Sequence, residues 1–446
     1  MPVHILGLTL LKESNCKLLS GMNSYSIIFE KIKTNKTLRD GGLFSLFSFL
    51  GQGVSFVLLI LLANYIRPSE YGHLSLFSTV TVFLGYFTGL ASIGYSSISF
   101  FKKSNREFRK DFSACFSLYF LTTFFFMGVL LLLGDSISYL LNMPIRLLWY
   151  AIIISFANAL FAILLELFRI KENIYNYGLL SCGSAFLNFF LSLFLVVDRG
   201  QSWMGRVNAQ LICTTIFCLI AFFFFFKYRL FDFHYSVTRY KPILLWCLPI
   251  IPHLTTNWIR QGCDRFIIDY NFSVNEVGLF SFALNLVGIL NMVGCAFNST
   301  SSVSFYQLLS SKNDSIIVAK QISRHTRMMF KVYTGASLSL IIILPSIVYL
   351  FLPKYIPSLG YFFVLGVFGY FQCLYYLYCN FLFYYGKTKV MMYITFTTSV
   401  IHLILSLVFT RYSLYCTAMI YIFVESLLLY SVYYVARKLR IEHSLM

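Results

Sequence analysis

The sequence predicts an all-α integral membrane protein with about twelve transmembrane helices in two six-helix bundles. Its composition, its apolar runs and the positions of its basic residues lead to this prediction. Of the 446 residues, 58% are hydrophobic and 12% are charged, and the mean hydropathy is +0.74. Soluble domains carry about 25% charged residues. So few charges cannot cover a water-facing surface, and the bilayer is therefore the main solvent.

Apolar runs of membrane-spanning length recur along the whole chain. A transmembrane helix needs roughly 20 mainly apolar residues. Continuous apolar stretches indicate helices, because the strands of a membrane barrel would alternate polar and apolar residues. The predicted spans lie at about residues 43–66, 73–100, 113–134, 147–168, 176–197, 207–226, 243–268, 277–303, 332–352, 358–385, 390–410 and 412–436.

The basic residues lie mainly in alternate links between these spans. If the N-terminus is inside, the inner segments hold 27 of the 35 Lys and Arg residues and the outer segments hold 8. Cytoplasmic loops are enriched in basic residues, so both termini are predicted to be cytoplasmic. The net charge of +18 is then explained by anionic lipid headgroups, and no nucleic-acid partner is expected.

The links are too short for a folded soluble domain. The predicted organisation is a cytoplasmic N-terminal tail (1–40), a first six-helix bundle (41–226), a cytoplasmic linker (227–242), a second six-helix bundle (243–436) and a cytoplasmic C-terminal tail (437–446). Met22 is an alternative start to Met1. The eleven cysteines are scattered without a metal-ligand pattern, so neither a metal nor a cofactor is predicted.

An internal repeat relates the two predicted bundles. The stretch NYIRPSEYGHLS at 64–75 follows the first span, and YNFSVNEVGLFS at 270–281 follows the seventh, 206 residues later. Both place Glu-x-Gly before an even-numbered span, as Glu70 with Gly72 and Glu276 with Gly278. We expect the glycines to permit a tight turn and the glutamates to favour the next helix N-terminus. Six spans per repeat make it parallel, and such halves usually enclose a substrate path.

The residues around these turns resemble the polysaccharide transporter family, the lipid-linked oligosaccharide (O-antigen type) flippases. The matching stretches are LLANYIRPSEYGHLS at 61–75, LPIIPH at 248–253, WI at 258–259, DRFII at 264–268 and EVGLFS at 276–281. The superfamily also contains the multidrug and toxin extrusion antiporters and the lipid II flippase. Explicit matches cover about 50 residues, and the twelve-span layout extends the similarity over the chain.

The resemblance implies a V-shaped transporter of the multidrug-extrusion fold in the bacterial inner membrane. Its expected cargo is an undecaprenyl-diphosphate-linked oligosaccharide, moved from the cytoplasmic to the periplasmic leaflet by alternating access without ATP. Glycan polymerase machinery is a candidate partner, and the oligomeric state stays open. Two features depart from the family. Span 1 has Gln52 and Asn64 but no buried Arg, so a charged cavity would depend mainly on the second half, and Phe280 replaces an expected Tyr.

The seventh span carries the main candidate site. Pro249 and Pro252 lie in its inner half, where missing backbone donors predict a hinge. In its outer half, the spacing predicts two i,i+4 pairs, Arg260 with Asp264 and Arg265 with Asp269. One interpretation is a cationic lining that attracts a diphosphate or an anionic sugar. The other is a structural ladder of ion pairs.

Two further ionisable residues fall near the middle of predicted spans, His402 in span 11 and Glu425 in span 12. Ionisable groups there are costly unless they face a cavity or a partner. They are candidates for coupling transport to a proton or cation gradient. The alternative is a neutral His and a protonated or hydrogen-bonded Glu packed between helices.

Two other functions remain open at the level of sequence. A cation-coupled small-molecule antiporter would share the fold, but such transporters often place carboxylates within the membrane part of their bundles. In the first bundle here, there is little beyond Asp135, Glu166 and Asp198, which lie near span ends. A membrane glycan polymerase would need a large external loop or a catalytic segment. The Gly-Lys-Thr at 386–388 lacks the first Gly of a phosphate-binding loop, and no catalytic motif is found, so no enzymatic activity is predicted.

Overall fold

The computed structural model describes residues 36–232, 237–311 and 315–443, and over these ranges the chain forms helices and no strand. Residues 1–35, which include Met22 and most of the predicted N-terminal tail, lie outside them. The first half contains α1 (Lys36–Tyr65), α2 (Pro68–Phe87), α3 (Ser92–Lys102), α4 (Asn105–Leu140), α5 (Ile145–Ile170), α6 (Ile174–Leu193) and α7 (Ser202–Lys227).

The second half begins with a spanning segment in three pieces and continues with five long helices. Its elements are α8 (Tyr240–Cys247), α9 (Ile250–Gln261), α10 (Cys263–Asn271), α11 (Val274–Leu309), α12 (Ser315–Phe351), α13 (Ser358–Tyr384), α14 (Thr388–Phe409) and α15 (Leu414–Glu442). Within the described ranges, ten helical segments are long and apolar enough to cross a membrane. Helix α1, with the apolar stretch Phe49–Tyr65, and the divided segment α8–α10 correspond to the other two predicted spans.

Two predicted spans are interrupted. The second bends between α2 and α3, where Gly89, Leu90 and Ala91 adopt left-handed backbone angles with φ of 70°, 52° and 58°. The seventh ends its first piece at Cys247, and α9 starts after Pro249. Pro252 lies in the first turn of α9, where a missing N–H costs no intrahelical hydrogen bond.

The two repeat turns lie side by side and define one end of the molecule, called here the repeat-turn end. In the first turn, Glu70 accepts a hydrogen bond from the backbone N–H of Arg67 at 2.7 Å and so caps α2. In the second, the Ser273 hydroxyl accepts from the backbone N–H of Glu276 at 3.4 Å and caps α11. Glu70 and Glu276 then accept from Ser202 and from Tyr361, respectively.

The tight-turn role expected for Gly72 and Gly278 is wrong. Both residues lie inside helices, in the second turns of α2 and α11, and neither has a positive φ. Each instead lets one helix touch the backbone of the other. A Cβ on Gly72 would lie 2.0 Å from the carbonyl oxygen of Val274, and one on Gly278 would lie 1.7 Å from that of Pro68. The two contacts are related by the same 206-residue offset as the repeat.

Further contacts across this crossing hold the two halves together at the repeat-turn end. Asn285 of α11 donates to the Tyr71 hydroxyl at 2.7 Å. The Tyr355 hydroxyl donates to the carbonyl of Ile66 at 3.3 Å, and Lys354 donates to that of Asn64 at 3.1 Å. The halves are therefore closed against each other at this end.

At the opposite end, called the linker end, α8 packs on the first half rather than on its own half. Trp246 lies against Gly94 of α3, and the hydroxyls of Tyr240 and Ser117 lie 2.6 Å apart. Just before α8, Arg239 donates to the buried Asp111 of α4 at 3.0 Å, and Lys103 donates to the same carboxylate at 2.5 Å. Burial lowers the pKa of Lys103, but Asp111 outweighs it, so the net shift is upward.

Candidate functional site

Four charged or titratable side chains from four helices of the second half form a buried cluster. Arg260 of α9 donates to the carboxylate of Glu425 on α15 at 3.3 Å. His402 of α14 lies 2.8 Å from the carboxylate of Asp264 on α10, and only 1% of either side chain is exposed. The Ser406 hydroxyl also donates to Asp264. We call Arg260, Asp264, Arg265, His402 and Glu425 the charged cluster.

The structure thus pairs these residues between helices rather than along one helix. The predicted pairing of Arg260 with Asp264 assumed a continuous helix, but the helix is interrupted at Gly262, which has φ −101° and ψ −47°. The interruption changes the rotational relation of the two residues, so Asp264 faces α14 while Arg260 faces α15. Asp269, the predicted partner of Arg265, instead interacts with Asn142 in the link between α4 and α5.

Arg265 connects the charged cluster to the first half. Its guanidinium donates to the hydroxyl of Thr79 on α2 at 2.7 Å, and the Trp258 indole donates to the carbonyl of the same residue at 3.0 Å. No carboxylate among the described residues lies within 4.0 Å of the Arg265 nitrogens. Arg265 is therefore a half-buried cation at the junction of the halves, with no paired anion among the described residues.

Both arginines retain unused hydrogen-bonding capacity. The Nε–H groups of Arg260 and Arg265 are buried and have no acceptor among the described residues. A buried donor without a partner is uncommon because its desolvation is not compensated. These two donors could bind an anionic group that enters the junction.

The two coupling candidates belong to this cluster but do not contact each other directly. His402 binds Asp264 and Glu425 binds Arg260, and both side chains line the same small cavity. The Tyr421 ring packs edge-on against His402, with ring centres 4.8 Å apart. The sequence located both residues, but their partners lie more than 130 residues away and could not be derived from spacing.

The first half contains a half-buried arginine whose orientation the sequence did not reveal. The predicted sixth span begins at residue 207, which places Arg206 at a helix end, yet its guanidinium points into the bundle from α7. It donates to the Asn188 amide oxygen at 2.6 Å and to the Ser192 hydroxyl at 2.9 Å, both on α6. The sequence signal was the pair of polar residues, Asn188 and Ser192, four positions apart in the apolar outer half of span 5.

Asn188 also lines a cavity of about 500 Å³ between α1, α5, α6 and α7. A second cavity of about 320 Å³ lies between α2, α5 and α7, and Asn158 borders both. Their polar lining consists of hydroxyl, amide and thiol groups, and no lining side chain is charged. No cluster of three or more metal-ligating side chains occurs in the described ranges.

Comparison with known proteins places this architecture in a family. A family model described as polysaccharide biosynthesis protein matches residues 37–305, more than half of the chain. The chain belongs to this family. A protein of the Lsg locus of Haemophilus influenzae is 22% identical over 390 residues, which cover 84% of this chain and 92% of that protein. A second membrane protein of the same organism is 19% identical, covering 82% and 88%.

Solved transporter structures share the fold of this family member. The lipid II flippase MurJ in an inward closed conformation matches with a TM-score of 0.71 at 13% identity, covering 89% of this chain and 87% of that one. An inward-facing multidrug resistance transporter of the MATE family and MOP superfamily matches with a TM-score of 0.67 at 13% identity, covering 90% and 94%. The predicted all-α transporter fold and the predicted family are both confirmed.

Proposed function

We propose that this polysaccharide biosynthesis protein is a flippase for a polyprenyl-diphosphate-linked oligosaccharide. It moves the cargo from the cytoplasmic to the periplasmic leaflet of the bacterial inner membrane by alternating access, without ATP. The linker end and both termini then face the cytoplasm, as the basic residues predict. The family and the likeness of the fold to a lipid II flippase support the class of function.

The observation that carries the proposal is the pair of arginines with unused buried donors. Arg260 and Arg265 lie on either side of the helix break at Gly262, and both have Nε–H groups without acceptors among the described residues. Arg265 also has no paired carboxylate among the described residues, and it lies where the halves meet. A diphosphate offers several acceptor oxygens and negative charge, and guanidinium groups bind such oxygens in fork geometry.

The hinge and the coupling residues fit this mechanism. Pro249 separates α8, which packs on the first half, from α9, which packs on α14 of the second half. A change of angle at this break would let the halves separate at one end and close at the other. His402 and Glu425 stay the coupling candidates. Protonation of His402 would change its interaction with Asp264, and protonation of Glu425 would change its interaction with Arg260.

We expect Arg265→Ala to reduce cargo translocation at least about tenfold, since one lost charge-assisted hydrogen bond is worth about 1.5–3 kcal/mol. Arg260→Ala is expected to act in the same direction. The measurement is the fraction of lipid-linked oligosaccharide reached by membrane-impermeant reagents from the periplasmic side, in cells that carry each variant. Arg411→Ala, at an exposed link, is the matched control and should translocate normally.

Two results would contradict this proposal. Normal translocation in both arginine variants, at normal protein level, would show that the charged cluster does not bind the diphosphate of the cargo. Normal arrival of the oligosaccharide at the periplasmic face in cells without the protein would reject the flippase. Cation-dependent dye efflux by the purified protein would then favour a small-molecule antiporter, and failure to lengthen the glycan would favour a polymerase.

A further inference from the structure

The cavity of about 500 Å³ in the first half has the chemistry of a sugar site. Its lining combines hydroxyl and amide groups, such as Ser181, Ser184 and Asn188, with the aromatic rings of Phe161, Tyr177 and Phe217. Sugar rings present hydroxyls that both donate and accept hydrogen bonds, with apolar C–H faces between them. The absence of charged side chains from this lining disfavours a cationic or anionic small molecule as the occupant.

The cavity includes a polar side chain near the middle of a membrane-spanning helix. Asn158 lies near the middle of α5, and its side chain is exposed and forms no hydrogen bond with any described residue. An unbonded amide at this depth would be costly against hydrocarbon, so it faces water or a polar ligand.

Arg206 fixes the orientation of the Asn188 amide, which lines this cavity. A guanidinium can only donate, so the amide oxygen of Asn188 must face Arg206. The amide NH₂ group of Asn188 is then turned away from Arg206 and is free to donate toward the cavity that Asn188 lines. Arg206 has no carboxylate within 4.0 Å among the described residues, so its full charge polarises this amide.

We propose that this cavity binds a sugar unit of the cargo, with Asn188 as a donor to a sugar oxygen and Arg206 as the positioning residue. The inference rests on the proposed function and divides the cargo between the halves. The charged cluster of the second half takes the diphosphate, and the uncharged cavity of the first half takes the sugar. Binding should therefore depend on the sugar separately from the lipid.

The test compares two probe lipids on purified protein in detergent, by native mass spectrometry. One is undecaprenyl diphosphate, and the other is undecaprenyl-diphosphate-linked N-acetylglucosamine. We expect the wild type to bind the sugar-bearing lipid about tenfold more tightly, since an unpaired polar group in the site costs about that factor. Asn188→Asp should abolish this preference, because the acceptor assigned to Asn188 is a sugar oxygen without a proton, the ring oxygen or the acetamide carbonyl, to which a carboxylate cannot donate.

The choice of Asn188→Asp keeps the experiment falsifiable. Aspartate preserves the size of the side chain and forms an ion pair with Arg206, so folding is not at risk. Ser192→Ala is the matched control, because it removes the other acceptor of Arg206 without changing the cavity lining. It should keep the preference for the sugar-bearing lipid.

The outcomes separate this inference from the proposed function. If the wild type binds neither lipid, the flippase proposal fails and the sugar site fails with it. If it binds both lipids equally, or if Asn188→Asp keeps the preference, the sugar site alone is overturned. Equal losses in Asn188→Asp and Ser192→Ala would also overturn it, because they would place the effect in the packing around Arg206.

Discussion

Gly72→Ala and Gly278→Ala are each expected to disrupt closure at the repeat-turn end and to reduce translocation about tenfold or more. The added Cβ would lie 2.0 Å or 1.7 Å from a carbonyl oxygen of the facing helix. Both contacted atoms belong to the backbone, so no side-chain rotation relieves the overlap. Overpacking costs about 1–3 kcal/mol, and 1.4 kcal/mol shifts a two-state population about tenfold.

The same helices supply matched controls. Gly85 on α2 and Gly288 on α11 have open space where a Cβ would lie, so Gly85→Ala and Gly288→Ala should leave translocation unchanged. Closure is measured by placing Ser75→Cys, which is buried one turn beyond Gly72, in each background. Labelling at residue 75 by an impermeant maleimide, identified by peptide mass spectrometry, should rise only in the Gly72 and Gly278 variants.

Unchanged labelling in Gly72→Ala, with normal translocation, would show that α2 and α11 are not held together by backbone contact. A large fall in the melting temperature of the purified variant would show instead that the crossing is needed for folding. The predicted result is a stable protein with an altered balance of conformations.

The long helices were predictable because the bilayer sets the length of every apolar run. The first span and the divided seventh span were also located, although neither meets the length and hydropathy of the other ten. The repeat singled out Gly72 and Gly278, and the structure places the close contact between α2 and α11 at these two residues. Their role was misassigned, because a sequence cannot distinguish a glycine needed for a turn from one needed for close approach of two helices.

The pairings within the charged cluster were less predictable. Arg260 and Glu425 are 165 residues apart, and Asp264 and His402 are 138 apart. The i,i+4 spacing favours partners one turn away on the same helix, so the sequence predicted pairs within the seventh span. A single residue, Gly262, interrupts the helix and turns those carboxylates and arginines toward different neighbours. The inward orientation of Arg206 was hidden for the same reason, because its partners lie on another helix.

Asp264→Ala is expected to destabilise the protein by about 3–5 kcal/mol, the cost of removing one partner from a buried pair. His402 and the Ser406 hydroxyl would both lose their acceptor in a site where only 1% of the His402 side chain is exposed. The measurement is the free energy of unfolding in mixed detergent and dodecyl sulfate. Asp269→Ala, in the same helix but half-buried and outside the charged cluster, should change it by less than about 1 kcal/mol.

A double replacement separates the structural role of this pair from a role in transport. Replacing a buried polar pair by apolar residues of similar size is often neutral for stability. Asp264→Leu combined with His402→Leu should therefore recover most of the stability lost in Asp264→Ala. If the pair only holds α10 against α14, translocation should recover as well. We expect it to stay at least about tenfold below wild type, because a coupling group must change its charge during transport and leucine cannot.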